Sequence, residues 1–232
     1  MGEERHLHLV IRRPDLLRGP PRLVTVPRLG GGVRLLTELD PLDARTFRRS
    51  VGRAAPAVEQ RLGPGVVANR VAGPDLRLED WRVARRRWAR ATADGPRGLR
   101  LHLDVAGCYA GIRPELVADA LRRAGVTDTE ELLRFLREVN AAGVPGLPVG
   151  PHASAVLANA VLARLDDAVA ATGAAHVRWV DDLVVEVPSR RRAIAVLDAA
   201  RRELGAMGLE LQPAKTRLTA GRIRARPPSP GR

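Results

Sequence analysis

Two adjacent aspartates, Asp181 and Asp182, stand between two apolar segments at 176–180 and 183–187. This pattern predicts two β-strands joined by a tight turn that carries the carboxylates. Two carboxylates in one turn repel each other, and the repulsion disfavours ionising both. A divalent cation relieves it, because Mg²⁺ binds one or two carboxylates together with the phosphates of a substrate. The simpler interpretation of an isolated Asp-Asp pair is a solvated turn.

A third aspartate lies at the end of another predicted strand. Side chains alternate between apolar and polar over 98–105, the strand ends on Asp104, and a turn-like stretch follows at 106–112. If this strand lies beside the hairpin, Asp104 meets Asp181 and Asp182. Three carboxylates can hold two metal ions about 3.5–4 Å apart, which is the arrangement for in-line phosphoryl transfer. The carboxylates alone would also suit a two-metal nuclease.

Four short motifs follow one another along the chain. They are Asp104-Val105-Ala106-Gly107-Cys108-Tyr109, Gly146-Leu147-Pro148-Val149-Gly150, Trp179-Val180-Asp181-Asp182 and Gly208-Leu209-Glu210-Leu211-Gln212-Pro213-Ala214-Lys215-Thr216. Their order and content resemble the palm motifs of the reverse transcriptases, in particular the compact bacterial type. A glycine-rich segment at 26–34 resembles the fingers hairpin of the same family. The resemblance covers roughly residues 21–220. A two-metal nuclease would explain neither Tyr109 nor the Gly-Leu-Pro loop.

The resemblance implies an α+β fold, namely a right-hand polymerase palm in which helices back an antiparallel sheet. The expected organisation is a basic, partly disordered N-terminus at 1–20, a small fingers-like region at 21–100, a palm-like catalytic region at 101–220 and a disordered tail at 221–232. Within the palm, 125–146 is expected as an insertion that belongs to the fingers. The family's thumb would follow Lys215, and we expect it to be absent.

The resemblance also implies the composition of an active site. Asp104, Asp181 and Asp182 would be catalytic and would hold two Mg²⁺ ions, for which Mn²⁺ could substitute. The backbone carbonyl of Val105 would add one more oxygen ligand. Such a site would lower the pKa of a primer 3′-hydroxyl and stabilise charge on the α-phosphate of a dNTP.

Further residues are expected to bind the nucleotide. Tyr109 is the only tyrosine, and in the family an aromatic at this position lies beneath the sugar and excludes a 2′-hydroxyl. Arg28 and Arg34 would fold over the triphosphate, while Val105 and the loop ending at Gly150 would contact the nucleotide through the backbone. Simpler interpretations stay open, namely a core aromatic for Tyr109 and solvated hairpin arginines.

Lys215 is the only lysine of the chain, whereas all other Lys and Arg positions hold arginine. The pKa of a lysine can be tuned, while an arginine does not give up its proton in practice. In the family this lysine approaches the triphosphate. We therefore expect Lys215 to bind phosphate and to serve as a general acid for the leaving pyrophosphate, and the alternative is a chance survivor on a surface loop.

The charge of the chain points to an anionic partner. The 232 residues include 39 Lys and Arg against 26 Asp and Glu, and the formal charge is +13. Such a surface attracts nucleic acid, here an RNA template with a DNA primer or product, although high-GC coding would also enrich arginine. A single cysteine, Cys108, excludes an internal disulfide and fits a reducing cytoplasm. No segment resembles a signal peptide or a membrane span.

Periodic apolar residues predict several helices. The expected helices are 41–62, 78–92, Pro114 to near Gly125, a capped helix from 127 towards 143, one after Pro151, and 189–207 with Ile194, Leu197, Leu204 and Met207 inward. The helix at 78–92 is rich in arginine and is the best candidate outside the palm to contact a template backbone. A solvated helix face explains it equally well.

Departures from the family define the main alternative. Val149 stands where most reverse transcriptases have glutamine, Trp179 replaces tyrosine and Gln212 replaces asparagine. An apolar residue at Val149 resembles the divergent bacterial branch that is linked to phage defence. Without a thumb, the primer grip would come from a protein or RNA partner or from a second chain, or there would be none. The rival hypothesis is a catalytically inert nucleic-acid-binding module on the same fold.

Overall fold

The computed structural model of the protein describes residues 17–27, 32–93 and 98–220. Arg28, most of the expected N-terminal segment and the expected tail lie outside these ranges. The first half of the described chain contains β1 (Arg22–Pro27), β2 (Val33–Glu38), α1 (Pro41–Arg61), β3 (Val71–Gly73), β4 (Arg77–Leu78) and α2 (Trp81–Ala93). The second half contains β5 (Leu99–Asp104), α3 (Cys108–Gly111), α4 (Pro114–Arg123), α5 (Glu130–Ala141), α6 (His152–Ala170), β6 (His176–Trp179), β7 (Asp182–Val187), α7 (Arg190–Ala206) and β8 (Arg217–Ala220).

The central sheet is antiparallel and has the strand order β6-β7-β5-β8. One of its faces is apolar, because alternate residues such as Leu101, Leu103, Leu183 and Val185 are buried in the main core. Helices α6 and α7 contact the sheet from this core. The predicted α+β fold, an antiparallel sheet backed by helices, is confirmed.

Helix α6 lies at the centre of the helical layer. It is almost entirely buried, and its Leu157, Val161, Leu165 and Val169 belong to the main core. A helix that is apolar on all sides must be surrounded by other elements. Here α1, α4 and α7 pack against it. Helix α6 is therefore the element around which the helical layer against the sheet is packed.

β1 and β2 form a hairpin around the glycine-rich segment at 26–34, with Pro27 opposite Val33. The middle of its turn, 28–31, is outside the described residues. The hairpin is attached to the 145–151 loop by two hydrogen bonds, from the Thr37 N–H to the Val149 carbonyl (2.8 Å) and from the Val149 N–H to the Thr37 hydroxyl (3.3 Å). Because these bonds join residues more than a hundred positions apart, they hold the hairpin against the rest of the molecule.

Two local predictions are wrong. Ile194 of α7 is 59% exposed instead of buried, because it lies ten positions from Leu204 and so falls outside the inward stripe formed by Ala193, Val196, Ala200 and Leu204. Helix α5 begins after Thr129, whose side chain makes no capping bond, so the expected cap does not form. In the 145–151 loop, the Val149 N–H and the Leu147 N–H are bonded inside the protein, and the expected contact of the Gly150 backbone with a nucleotide stays a prediction.

Gly146 explains why this loop needs a glycine. Its φ is +64°, and a Cβ there would lie 2.2 Å from the Tyr109 carbonyl oxygen and 2.5 Å from that of Ala110. The close approach allows the Leu147 N–H to donate to the Tyr109 carbonyl at 2.8 Å. Through this contact the loop is bound to the backbone of α3 at Tyr109.

We expect Gly146→Ala to destabilise the protein more than Gly143→Ala. Both glycines have a positive φ, but a Cβ at Gly143 meets nothing within 4 Å. The left-handed conformation costs an alanine about 1–2 kcal/mol at either position. Overpacking against fixed carbonyls adds about 1–3 kcal/mol at Gly146 alone. Urea denaturation of both variants measures the difference, and equal losses would contradict the close contact.

Candidate active site

The aspartate pair lies on a strained two-residue turn. Trp179 pairs with Asp182, which leaves Val180 and Asp181 as the turn between β6 and β7. Val180 has a φ of +55°, a conformation that is rare for a β-branched residue. Hairpin turns with a positive φ at this position usually have glycine there. The surrounding contacts must therefore hold Val180 in place.

Arg178, next to Trp179 in β6, provides these contacts. Its side chain is completely buried, and it donates to the Val180 carbonyl (2.9 Å), to Asn159 Oδ1 (2.9 Å) and to both carboxylate oxygens of Asp166 on α6 (2.7 and 2.8 Å). Burial would raise the pKa of Asp166, but Arg178 and His176 more than offset it and hold that pKa at about 2. The pair is therefore ionised at neutral pH.

The backbone of Arg178 fixes the same strand from the other side. Its N–H donates to the Gly65 carbonyl at 2.8 Å, and its carbonyl accepts from the Val67 N–H at 3.0 Å. The sequence analysis did not identify Arg178. The available signal was an arginine inside an otherwise apolar strand, which has to find a buried anionic partner.

Asp104 and Asp182 are direct partners in the sheet, at the end of β5 and the start of β7. Their register is fixed by neighbouring bonds, from the Val105 N–H to the Asp181 carbonyl (3.2 Å) and from the Gln212 N–H to the Asp104 carbonyl (2.7 Å). Asp181 lies in the turn directly beside them. The structure thus brings together the three carboxylates that the sequence analysis expected to meet.

Lys215 joins this group from the closing motif. It ends a short 3₁₀ helix, Pro213–Lys215, and its Nζ donates to Asp104 Oδ2 at 2.6 Å. The hydrogen bond to Asp104 raises the pKa of Lys215, and the charges of the aspartates add to this effect. The ammonium is therefore firmly protonated. It neutralises one carboxylate and leaves the other two without a cationic side chain in direct contact among the described residues.

The remaining negative charge perturbs both members of the turn pair. Burial raises the pKa of Asp181, and the nearby charge of Asp104 raises it further. Burial, Asp181 and the hydrogen bond with Asp104 raise the pKa of Asp182 to about 7. Each carboxylate thus makes it harder to ionise the next. This excess of negative charge is what a bound cation would relieve.

The fit of a metal ion can be judged from the donor set. Within the described residues, no three His, Cys, Asp or Glu side chains are grouped so that they could hold a metal ion as they stand. The chemistry of the donors nevertheless fits Mg²⁺, because three carboxylates at one strand edge offer only oxygen ligands and repel one another. The donor types and charge therefore fit such an ion, although their present arrangement is not a coordination group.

Tyr109 and Arg34 lie within electrostatic reach of the carboxylates. Tyr109 is on α3 and packs partly against the main core, and burial together with Cys108 and Asp181 raises the pKa of its hydroxyl, which therefore stays neutral. The positive charge of Arg34 on β2 acts to lower the pKa values of both Tyr109 and Asp181. Gly150 lies at the end of its loop beside the Thr37 carbonyl of β2. Arg28 lies outside the described residues, so its expected role stays a prediction.

Two other motif residues are part of the packing. Trp179 is buried in a second apolar cluster with Trp88 of α2, and their rings meet edge-on with centroids 6.2 Å apart. The tryptophan therefore fills the space between the sheet and α2. Cys108 is buried, and burial raises the pKa of its thiol, so it is a small core residue and no nucleophile.

The sequence matches the family described as reverse transcriptase (RNA-dependent DNA polymerase) over residues 89–226. That is more than half of the chain. The chain belongs to the reverse transcriptase family. The matched range contains all three carboxylates and Lys215. No curated protein sequence matches the chain.

The fold of this member of the reverse transcriptase family is similar to part of a solved telomerase structure. The structure is described as telomerase from Candida albicans in complex with a TWJ fragment of telomeric RNA, with a TM-score of 0.56 and 11% sequence identity. The match covers 90% of this chain and 42% of the telomerase chain, so our chain spans less than half the length of that protein. At this identity the likeness shows a shared fold. Separately, none of the described helices is long and apolar enough to cross a membrane.

We expect Asp182→Asn to stabilise the metal-free protein at alkaline pH. The folded-state pKa of Asp182, about 7, lies above its unfolded value of about 4, so the folded state binds more protons between these values and stability falls as pH rises through them. Asparagine removes this loss. The difference in thermal midpoint should be largest above about pH 7 and shrink towards about pH 4.

The matched control is Asp198→Asn, which changes an exposed aspartate on α7. Thermal melts in a chelating buffer across this pH range should show a constant offset for the control. If the Asp182→Asn offset were equally constant, the raised pKa would be wrong.

Proposed function

We propose that this reverse transcriptase family member adds deoxynucleotides to the 3′ end of a primer on an RNA template. The observation that carries the proposal is the direct pairing of Asp104 with Asp182, with Asp181 in the adjoining turn. This places three carboxylates at one edge of the sheet in a chain of the right family. The aspartates would be catalytic, and the reaction would be a nucleotidyl transfer to the primer 3′-hydroxyl.

Asp104 and Asp181 would together hold two Mg²⁺ ions, or Mn²⁺ in their place, with Asp182 as a third carboxylate and the Val105 carbonyl as a further oxygen ligand. When bound, these ions would acidify the primer hydroxyl and stabilise the charge that develops on the α-phosphate. The role of the chain is to keep its oxygens in place. The Arg178 network supports this role, because it fixes the turn that carries Asp181 and Asp182.

Lys215 would bind the phosphates of the incoming dNTP and donate a proton to the leaving pyrophosphate. Its ion pair with Asp104 supports the first role, since it keeps a protonated ammonium at the site. When the aspartates hold cations, the ammonium would be free to move from Asp104 to a phosphate. This step needs a flexible side chain, and lysine provides one.

The remaining nucleotide contacts belong to the same proposal. Tyr109 would exclude a 2′-hydroxyl, Arg34 and Arg28 would bind the triphosphate, and Gly150 and Val105 would contact the nucleotide through the backbone. The electrostatic reach of Arg34 to Asp181 supports its part. We further propose that the chain works with a protein or RNA partner, and that it belongs to the branch linked to phage defence.

The alternative is an inert nucleic-acid-binding module on the same fold. The Lys215–Asp104 ion pair favours it, because it occupies an oxygen that a catalytic metal would need. Both functions retain binding of nucleic acid, and they differ in turnover.

We expect the double variant Asp181→Asn/Asp182→Asn to lose nucleotide addition by about a thousandfold or more while it keeps its fold and nucleic-acid binding. The variant loses ligands and charge worth several kcal/mol in the transition state. Extension of labelled primers on RNA and DNA templates with Mg²⁺ and dNTPs measures the rate, with Asp198→Asn as the control. Parental activity in the double variant would disprove the catalytic assignment, and a parent inactive on every primer-template would favour the inert module.

We expect Lys215→Arg to bind dNTP nearly as well as the parent and Lys215→Ala to bind it less well. The arginine should still turn over slowly, because its pKa is too high for efficient proton transfer to the leaving group. Single-turnover rates of the parent and both variants across pH separate these effects. An arginine variant that matches the parent at every pH would leave Lys215 with a purely electrostatic role.

A further inference from the structure

We propose that the outer side of α2 binds a single-stranded nucleic acid, with Trp81 stacking on an unpaired base and Arg85, Arg86 and Arg90 contacting phosphates. The inference deepens the proposed function and rests on it in one respect, since the bound strand would be the template or primer of that reaction. It rests on the packing, charge and exposed aromatic of this helix.

The inner side of α2 is firmly anchored. Ala84, Trp88 and Thr92 are buried, and Trp88 packs against Trp179 of the catalytic hairpin. At the end of the helix, Arg100 of β5 donates to the Thr92 carbonyl. The helix is therefore held as a rigid body against the sheet.

The anchored side lies on the catalytic face of the sheet. Val184 belongs to the same apolar cluster as Trp88, and it is two residues from Asp182 on β7. Alternate residues of a strand point to the same face. Since Asp182 pairs with Asp104, α2 covers part of the face that carries both aspartates. A strand bound along α2 would therefore approach the catalytic edge.

The outer side of α2 carries unbalanced positive charge. Arg82, Arg86 and Arg90 follow at four-residue steps, and Arg85 lies beside them. Like charges at this spacing repel, and the helix contains no acidic residue that would offset them. Positive charge in the first turn also opposes the helix dipole. This cluster of arginines destabilises the helix in the protein alone, and its charge becomes favourable when a polyanion is bound.

Neighbouring carboxylates neutralise only part of this charge. The Asp80 carboxylate lies 3.7 Å from a guanidinium nitrogen of Arg82, and the Glu79 carboxylate accepts a hydrogen bond from Arg87 at 2.9 Å. In the part of the chain that the structure describes, Arg85, Arg86 and Arg90 form no ion pair. The cluster around α4 differs, because Asp119 pairs with Arg122, Arg123 and Arg164. Three exposed guanidinium groups are thus available to phosphates.

Trp81 indicates that the strand is single. This residue is 37% exposed at the start of α2, with the guanidinium carbons of Arg82 and Arg85 at 5.4 and 5.8 Å from the centroid of its ring. An exposed aromatic ring beside arginines is a stacking platform for bases, and it needs an unpaired base. A duplex offers phosphates to the arginines and no free base face to the ring.

The test is binding of labelled oligo-U, oligo-dT and a duplex of equal length to the full chain by fluorescence anisotropy at several salt concentrations. Arg85→Gln/Arg86→Gln/Arg90→Gln should weaken both single strands by about tenfold or more and lower the slope of log K against log salt by about 2. Trp81→Leu should weaken single strands by about tenfold, leave the salt slope unchanged and leave duplex binding at the parental level.

The matched control is Arg191→Gln/Arg201→Gln/Arg202→Gln on α7, which removes the same charge from exposed positions. It should change affinity by no more than about threefold. Equal weakening by both triple variants, or Trp81→Leu acting equally on duplex and single strands, would overturn the proposal. Circular dichroism and thermal melting verify that each variant is folded, and the tighter of the two oligonucleotides identifies the strand as RNA or DNA.

The proposed binding surface and the proposed function can be tested separately. The double variant Asp181→Asn/Asp182→Asn should bind oligonucleotides through α2 as the parent does. If the parent binds in this way and adds no nucleotide, the proposed function fails and the surface stands. If the parent adds nucleotides and the α2 variants bind normally, the surface is wrong and the function stands.

Discussion

The buried ion pair between Arg178 and Asp166 is the interaction on which the site depends. Burying two charges is costly, and removing one partner of such a pair costs about 3–5 kcal/mol. Here the geometry compensates, because the guanidinium also bonds Asn159 and the Val180 carbonyl. One side chain thereby connects β6, α6 and the strained turn, and the position of the aspartates follows from this connection.

The buried charges around Arg178 are balanced, whereas the charges of the three catalytic candidates are not. In the buried network, Asp166 is ionised and paired with Arg178 and His176. At the turn, three carboxylates share one ammonium, and the pKa values of Asp181 and Asp182 are raised. The buried network, whose charges are paired, thus holds in place three carboxylates whose negative charge is only partly neutralised. Catalytic sites often have this character, because ligands rather than the protein complete the electrostatics.

The departures from the family motifs have structural reasons in two cases. Trp179 fills the cluster between the hairpin and α2, where it meets Trp88 edge-on. Val149 bonds through its backbone to Thr37, so its loop is joined to the hairpin of β1 and β2 whatever its side chain. For Gln212, the backbone N–H bonds the Asp104 carbonyl, and nothing in the structure explains the side chain. Packing and backbone contacts therefore absorb the first two changes without altering the positions of the carboxylates.

The sequence by itself determined most of the helices and strands, and the three aspartates were expected to meet only if the strand of Asp104 lay beside the hairpin. Alternation before Asp104 and apolar segments on both sides of Asp181 and Asp182 predict strands, and apolar repeats predict α1, α4 and α6, because these signals act over a few neighbouring residues. The tertiary structure alone decided that Lys215 bonds Asp104, that Arg178 is buried with Asp166 and that Ile194 is exposed. Lys215 and Asp104 are 111 positions apart, and local periodicity carries no information on such a pair. Which side chains meet across that distance is settled by how the helices pack on the sheet.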